Sequence, residues 1–156
     1  MNFEMPKPTD DHRRLHAMAG SWRSEETLHP SPWDPNKRAA TGRAECRLAL
    51  DGLVVVTDYE QVKDGRAGYR GHGVFGYDVQ KRQPYMQWAD NMMSIAAATV
   101  WGSWEGNVLT FEMASPQGHN RYVYAFDKTD AYAFSIQWSK DGKAWQTFME
   151  GRFTRA

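Results

Sequence analysis

The feature that most restricts the fold of this chain is the alternation of apolar and polar residues that begins after Gly20 and continues almost to the C-terminus. Turn pairs interrupt it at Asp51-Gly52, Asp64-Gly65, Gly106-Asn107 and Asp141-Gly142. A period of two is typical of strands, and Asp-Gly pairs favour two-residue hairpins because both residues tolerate positive φ. The pattern predicts about ten strands, near residues 21–29, 39–50, 53–63, 66–77, 83–90, 94–104, 107–114, 119–127, 131–139 and 144–153.

Short connections leave no room for helical crossovers, so the strands are expected to be antiparallel. A sheet of this many strands tends to curl, and closure removes both of its edges. One helical segment precedes the strands, at about residues 9–19, with Thr9 or Asp10 as its cap and Gly20 just beyond its end. We therefore predict a single domain over residues 1–156, an all-β up-and-down barrel (about residues 21–154) with a short N-terminal helix as a lid or plug.

The composition narrows the choice of partners. The 156 residues include 19 basic and 19 acidic side chains, and this balance argues against nucleic acid or an anionic membrane as a partner. No apolar stretch is long enough to span a bilayer, and the N-terminus lacks the layout of a signal peptide. A lone cysteine, Cys46, excludes an internal disulfide framework, so a cytoplasmic location is expected.

The turns also predict which residues face the barrel interior, because residues opposed across a two-residue turn share a face. Around Asp51-Gly52 the predicted inward pairs are Leu50–Leu53, Leu48–Val55, Cys46–Thr57 and Ala44–Tyr59. The opposite face carries charged residues at most positions, so we assign it to the outside.

The same reasoning around Asp64-Gly65 continues the inward face into the next strand. If residues 78–82 form the following loop, the predicted inward pairs are Arg70–Asp90, His72–Trp88 and Val74–Met86. Asp90 then faces inward because Arg70 supplies a cation across from it. A barrel of about ten strands is wider than its side chains can fill, so this mixture of apolar and polar residues predicts a small-molecule cavity. The competing interpretation is a purely structural ion pair.

Two sequence patterns resemble known barrels. Gly20-Ser21-Trp22, directly after a short helix, resembles the Gly-x-Trp signature of the calycins, which are the lipocalins and their relatives, where the Trp closes one end of the barrel. The runs LHAMAGSW, LALDGLVVVTDYE, GHGVFGYDVQKRQPYMQWADNM and WGSWEGNVLTF resemble a mainly bacterial family known as domain of unknown function 1579. The matching residues are Trp22, Asp51, Gly52, Gly76, Tyr77, Asp78, Trp88 and Asp90, and the resemblance covers about residues 12–153. It implies a calycin-like barrel and, by analogy of fold, ligand binding, but no reaction.

Histidines are the other candidates for chemistry. His12 and His16 lie four apart on the predicted helix, but a third metal ligand is missing, so we expect surface residues and no metal. His72, predicted inside, could act as a general base, a haem ligand or a neutral wall residue, and the last is favoured. The chain has no Gly-x-Ser-x-Gly elbow, phosphate loop or Cys-x-x-Cys pair. We predict no cofactor and no catalytic residue, and leave open the question of enzymatic activity.

Aromatic residues, 13% of the chain, form a stripe in the ninth predicted strand. Tyr132, Phe134, Ile136 and Trp138 alternate on one face, and a tight turn at Asp141-Gly142 would place Trp138 opposite Trp145 and Ile136 opposite Thr147. This stripe either lines the far wall of the barrel or forms a dimer face.

The leading functional hypothesis is binding of a small, mostly apolar molecule with a polar or anionic end inside the barrel. The predicted ligand-binding residues are Trp22, Thr57, Tyr59, Arg70, His72, Met86, Trp88 and Asp90. The alternatives are a small-metabolite enzyme (an isomerase, cyclase or hydrolase) that uses the same pocket, and a filled structural barrel that forms a homodimer.

Overall fold

The computed structural model describes residues 2–32, 34–93 and 95–156. Helix α1 (Asp10–Leu15) continues as a 3-10 turn over His16–Met18, and a second 3-10 turn covers Leu50–Gly52. The ten strands are β1 (Gly20–Leu28), β2 (Arg38–Ala49), β3 (Val54–Lys63), β4 (Arg66–Asp78), β5 (Gln83–Asp90), β6 (Thr99–Glu105), β7 (Val108–Ser115), β8 (Gly118–Ala125), β9 (Ala131–Ser139) and β10 (Gln146–Arg155). Neither α1 nor the 3-10 turns of these residues have the length and apolar character needed to cross a membrane.

Each strand pairs with its neighbours along the chain, and β1 pairs with β10, so the sheet closes. Every pairing is antiparallel, which confirms the predicted barrel of ten strands with one short N-terminal helix. Closure leaves no edge strand exposed to pairing with other chains.

The helix covers one end of this barrel. Leu15 and Met18 are buried there against Trp22 of β1, whose indole Nε1 donates a hydrogen bond to the Met18 carbonyl at 2.8 Å. His12 is buried, which corrects its predicted surface position, and its Nδ1 accepts the Thr9 backbone N–H at 3.0 Å. His16 Nε2 lies 2.8 Å from the Gly52 carbonyl oxygen. These contacts anchor the helix start and tie the helix to the β2–β3 connection.

The predicted register between β2 and β3 is confirmed at Leu48–Val55, Cys46–Thr57 and Ala44–Tyr59. The connection itself differs from a two-residue hairpin, because Leu50 to Leu53 form a four-residue loop between the paired residues Ala49 and Val54. The predicted Leu50–Leu53 pair lies in this loop and outside the strand ladder. The loop is centred on the same Asp51-Gly52 pair as the predicted turn, so the remaining pairs keep their predicted register. Leu48 lies at the barrel end and is 45% exposed, which corrects its predicted place in an inner apolar layer.

The predicted inward placement of Arg70 and His72 is wrong. The tight turn at Asp64-Gly65 exists, since Lys63 pairs with Arg66 and Val62 with Ala67, but Glu60 then pairs with Arg70. This bulge gives β4 one additional residue, which reverses the facing of everything after it. Arg70 Nε therefore meets Glu60 Oε2 at 2.9 Å, and His72 Nδ1 meets Asp58 Oδ1 at 2.7 Å, both on the exposed outer face.

The β4–β5 loop is one residue shorter than predicted, and this difference returns the side chains of β5 to their predicted faces. Asp78 pairs with Gln83, so the loop contains residues 79–82 and not the predicted 78–82. The inward pairs are consequently Gly71–Asp90, Gly73–Trp88 and Phe75–Met86, in place of the predicted Arg70–Asp90, His72–Trp88 and Val74–Met86. Met86, Trp88 and Asp90 thus lie on the predicted face because two errors of parity cancel.

The aromatic stripe of β9 lines the interior over Tyr132 to Ile136, as one of the two predicted alternatives states, whereas Trp138 at its end is exposed. Tyr132 is buried and stacks on Phe153 of β10 with 4.8 Å between ring centroids, and Phe134 packs against the same core. The predicted pairs across the β9–β10 loop are wrong: Trp138 pairs with Gln146 and Ile136 with Met149, because the loop is longer and β10 contains a bulge after Thr147.

Candidate functional site

The barrel interior has two differently packed halves. The half nearest the helix, here called the closed half, is filled by side chains with 2% exposure or less, including Trp22, Val55, Phe75, Leu109 and Phe111. The ring centroids of Phe75 and Phe111 lie 5.8 Å apart. This half is a packed apolar core.

The other half, here called the open half, lies toward the ends of the strands farthest from α1. Its lumen-facing side chains keep partial solvent exposure; they are Tyr69, Trp88, Met113, Tyr122, Phe134 and Ile136. Of these, Trp88, Met113, Tyr122 and Phe134 pack against the core. The partial exposure of these inward side chains shows that this half of the described barrel is less tightly packed than the closed half.

A buried carboxylate, Glu26 of β1, stands in the wall of the open half with only 4% exposure. Its Oε1 accepts hydrogen bonds from Ser24 Oγ at 2.6 Å and Tyr59 Oη at 2.5 Å, and its Oε2 accepts one from Gln61 Nε2 at 2.6 Å. Within the described ranges, no side-chain nitrogen of Lys, Arg or His lies within 4.0 Å of a Glu26 carboxylate oxygen, which is the largest distance counted as an ion pair. Three neutral donors thus satisfy an acid that has no counter-ion in this part of the chain.

Two glycines leave the space that the Glu26 side chain occupies. A Cβ atom added at Gly42 would lie 2.5 Å from Glu26 Oε1, and one added at Gly151 would lie 2.9 Å from Glu26 Cγ. Real Cβ atoms do not approach other atoms this closely, so larger residues on β2 and β10 would displace the carboxylate.

A second polar group runs from Trp88 through Tyr69 to Asp90. Trp88 Nε1 donates to Tyr69 Oη at 2.8 Å, and Tyr69 Oη donates to Asp90 Oδ2 at 3.2 Å. Asp90 Oδ1 also accepts the backbone N–H groups of Met92 and Met93 at 3.0 and 2.9 Å. The partner that lets Asp90 face inward is therefore a phenol together with two backbone N–H groups, and not the predicted Arg70.

The two polar groups adjoin through aromatic contacts. The Tyr59 ring centroid lies 5.9 Å from that of Tyr69 and 6.4 Å from that of Trp88. Burial, with the nearby Glu26 carboxylate as the next cause, raises the pKa of Tyr59, and burial raises the pKa of Tyr69. Both phenols consequently stay protonated near neutral pH, where they donate hydrogen bonds and cannot accept a proton as general bases.

The remaining predicted site residues lie deeper in the barrel. Trp22, Met86 and Thr57 are all buried, and the Thr57 hydroxyl donates to Cys46 Sγ at 3.2 Å. Burial raises the pKa of the Cys46 thiol to about 11, which makes it a poor nucleophile. These residues form the floor beneath the open half, whereas Tyr59, Trp88 and Asp90 stand in its wall.

Glu26 is one of the residues of this site that the sequence reasoning missed, as are Tyr69 and Gln61. Trp22, Ser24 and Glu26 alternate along β1, so the same period-two argument places the carboxylate on the inner face with Trp22. The sequence feature that could have identified it is a glutamate an even number of residues from an inward-facing tryptophan on the same strand.

Comparisons with known proteins agree with this architecture. The family model described as "Protein of unknown function (DUF1579)" matches residues 7–155. Among solved structures, Rv2717c from M. tuberculosis superimposes with a TM-score of 0.68 at 15% identity, covering 95% of this chain and 98% of that one. An S-type phycobiliprotein lyase from Guillardia theta superimposes with a TM-score of 0.62 at 12% identity, covering 96% and 98%. No curated protein matches the chain. The chain belongs to the DUF1579 family, and the structural likeness shows a shared barrel fold.

Proposed function

We propose that the open half of the barrel binds a small, mostly apolar molecule and holds the polar end of that molecule through hydrogen bonds in the lumen. The observation that carries this proposal is the contrast in packing: the closed half is filled, whereas inward aromatic residues of the open half remain partly exposed. Small-molecule sites combine such apolar walls with a few polar groups that fix orientation.

Each part of the site has a proposed role. Trp88, Tyr122 and Phe134 supply the apolar wall, and Tyr59 and Asp90 orient the polar end. Met86, Thr57 and Trp22 form the floor that limits how deeply the ligand enters. Arg70 and His72 have no role in this proposal because they lie on the outer face.

The polar end requires a revision of the sequence hypothesis. An anionic end was expected because Arg70 was placed in the lumen, and that placement is wrong. The polar groups that face the open half include two carboxylates, Glu26 and Asp90, which favour a ligand that donates hydrogen bonds.

The comparisons are consistent with this proposal at the level of fold. One similar barrel is the S-type phycobiliprotein lyase from Guillardia theta. Likeness of fold at such low identity does not transfer an activity, so the proposal rests on the packing of the open half.

Titration with an uncharged fluorescent lipophile, N-phenyl-1-naphthylamine, tests the site. We expect saturable binding, and we expect Trp88→Ala to weaken it about tenfold, equivalent to ~1.4 kcal/mol. Trp101→Ala is the matched control, because Trp101 on β6 contacts Tyr85 and lies beneath Lys81 Nζ at 4.9 Å, away from the Trp88 site. Equal affinity in the wild type and Trp88→Ala would contradict the proposal, as would the lack of saturable binding.

Native mass spectrometry of the purified protein complements this titration. A retained small molecule in the 1:1 complex is the expected result, and the same spectra report the oligomeric state. A cytoplasmic location and the exclusion of nucleic acid remain predictions from composition, and a homodimer remains an alternative.

A further inference from the structure

We infer that the polar end of the ligand is a cation bearing N–H groups, such as a protonated amine, and that Glu26 selects it. This inference rests on the proposed function, because it concerns the same open half of the barrel. It goes further by naming the charge of the ligand and the residue that recognises that charge.

The first argument is the missing counter-charge. Glu26 is 4% exposed, and its three described partners, Ser24, Tyr59 and Gln61, are all neutral. Taking a carboxylate out of water is unfavourable unless it is paired and hydrogen-bonded, and here only the hydrogen bonds are present. A ligand cation would supply the counter-charge that the described lumen lacks.

The second argument is acceptor capacity. The two oxygens of a carboxylate together offer about four acceptor positions. Among the described residues, Oε1 of Glu26 accepts two donors, whereas Oε2 accepts the Gln61 amide alone. Because Glu26 is only 4% exposed, an incoming N–H group reaches the remaining acceptor position of Oε2 when a covering side chain, such as Gln61, moves aside.

The third argument is the sign of the charges around the lumen. On the described strands, the lumen-facing positions of the open half carry two carboxylates, Glu26 and Asp90, and their polar neighbours are phenols and amides. Two of the nearby basic side chains are engaged elsewhere: Arg70 pairs with Glu60 outside the barrel, and Arg38 pairs with Asp34 at the rim at 2.7 Å. Charge complementarity in such a site favours cations and disfavours anions.

Three amphiphiles of equal chain length test the inference: decylammonium, 1-decanol and decanoate, each used at pH 7 to displace N-phenyl-1-naphthylamine. We expect the wild type to bind decylammonium at least about tenfold more tightly than either of the others. In Glu26→Gln, which is nearly isosteric, this preference should fall to about threefold or less. Glu25→Gln is the matched control, since Glu25 is the preceding residue on β1 and faces outward, and it should keep the full preference.

The outcomes separate this inference from the function beneath it. Equal binding of the three amphiphiles, or tighter binding of decanoate, overturns the cation inference and leaves ligand binding in place. A full preference retained in Glu26→Gln also overturns it, because selection would then reside elsewhere. If neither the probe nor any amphiphile binds the wild type, both proposals fail. If Glu26→Gln does not fold, the wild-type ranking still decides whether the site selects a cation. Asp90→Asn then decides between the two carboxylates, because loss of the preference in that variant would overturn the assignment to Glu26.

Discussion

The closed and open halves of the barrel belong to one sheet but follow different packing rules. In the closed half, Trp22, Phe75 and Phe111 bury their rings almost completely beneath the helix. In the open half, Trp88, Tyr122 and Phe134 face inward yet stay partly exposed, and a carboxylate without a cation partner in the described chain stands among them. The comparison indicates that the closed half stabilises the fold, whereas the open half is less tightly packed and leaves its inner side chains accessible to solvent.

The largest expected effect tests this division of labour directly. Phe75→Ala removes a ring that is 1% exposed and should lower the free energy of unfolding by about 3–5 kcal/mol. Phe134→Ala, in the open half, should cost only about 1–2 kcal/mol because the ring is already partly exposed. Urea unfolding followed by circular dichroism measures both values, and equal losses would remove the distinction between the halves.

The next effect concerns the wall of the open half. A Cβ atom at Gly71 would lie 2.0 Å from Trp88 Cζ2, so Gly71→Ala must displace the indole and should cost about 1–3 kcal/mol. Gly68→Ala is the matched control on β4, since its Cβ atom would meet nothing within 4 Å, and it should change stability by about 0.5 kcal/mol or less. A change in tryptophan emission confined to Gly71→Ala is also expected. Equal effects of the two substitutions would show that Trp88 does not lie against β4.

Alkaline pH should lower the free energy of unfolding through the buried phenols of the barrel interior. Burial raises the pKa values of Tyr124 and Tyr132, so the native protein keeps these protons at pH values where the unfolded chain releases them. Their contribution to stability is complete below the unfolded pKa of about 10 and declines as the pH rises above it, by about 1.4 kcal/mol per pH unit for each phenol. Denaturant titrations from pH 9 to 11.5 measure this slope, and Tyr132→Phe should reduce it by one phenol's share. An unchanged slope in that variant would contradict the prediction.

The smallest expected effects are those of the two residues that sequence reasoning placed in the lumen. Arg70→Ala removes one partner of an exposed ion pair with Glu60, and His72→Ala removes one partner of an exposed contact with Asp58. Each substitution should therefore alter stability by about 0.5 kcal/mol or less. Neither should change the affinity for N-phenyl-1-naphthylamine. Loss of probe binding in either variant would place these side chains in the site after all.

These two residues show how far strand alternation can be carried from the sequence. The β2–β3 register was predicted correctly because the observed four-residue loop is centred on the same Asp51-Gly52 pair as the predicted two-residue turn. One extra residue in β4 then reversed Arg70 and His72, and a loop shorter by one residue restored Trp88 and Asp90. Alternation specifies facing only relative to the last known pair, so an unrecognised bulge inverts everything that follows it.

The sequence by itself determined the number of strands, their antiparallel order and the helix that precedes them. Those properties follow from local periodicity and from turn residues, which are readable within a few positions of the chain. Only the tertiary structure decided which polar groups meet inside the barrel. The Glu26 cluster joins β1 to β3 beside glycines of β2 and β10, and barrel closure brings together residues as far apart as Glu26 and Gly151. No local pattern encodes that meeting, because it depends on the register summed around all ten strands.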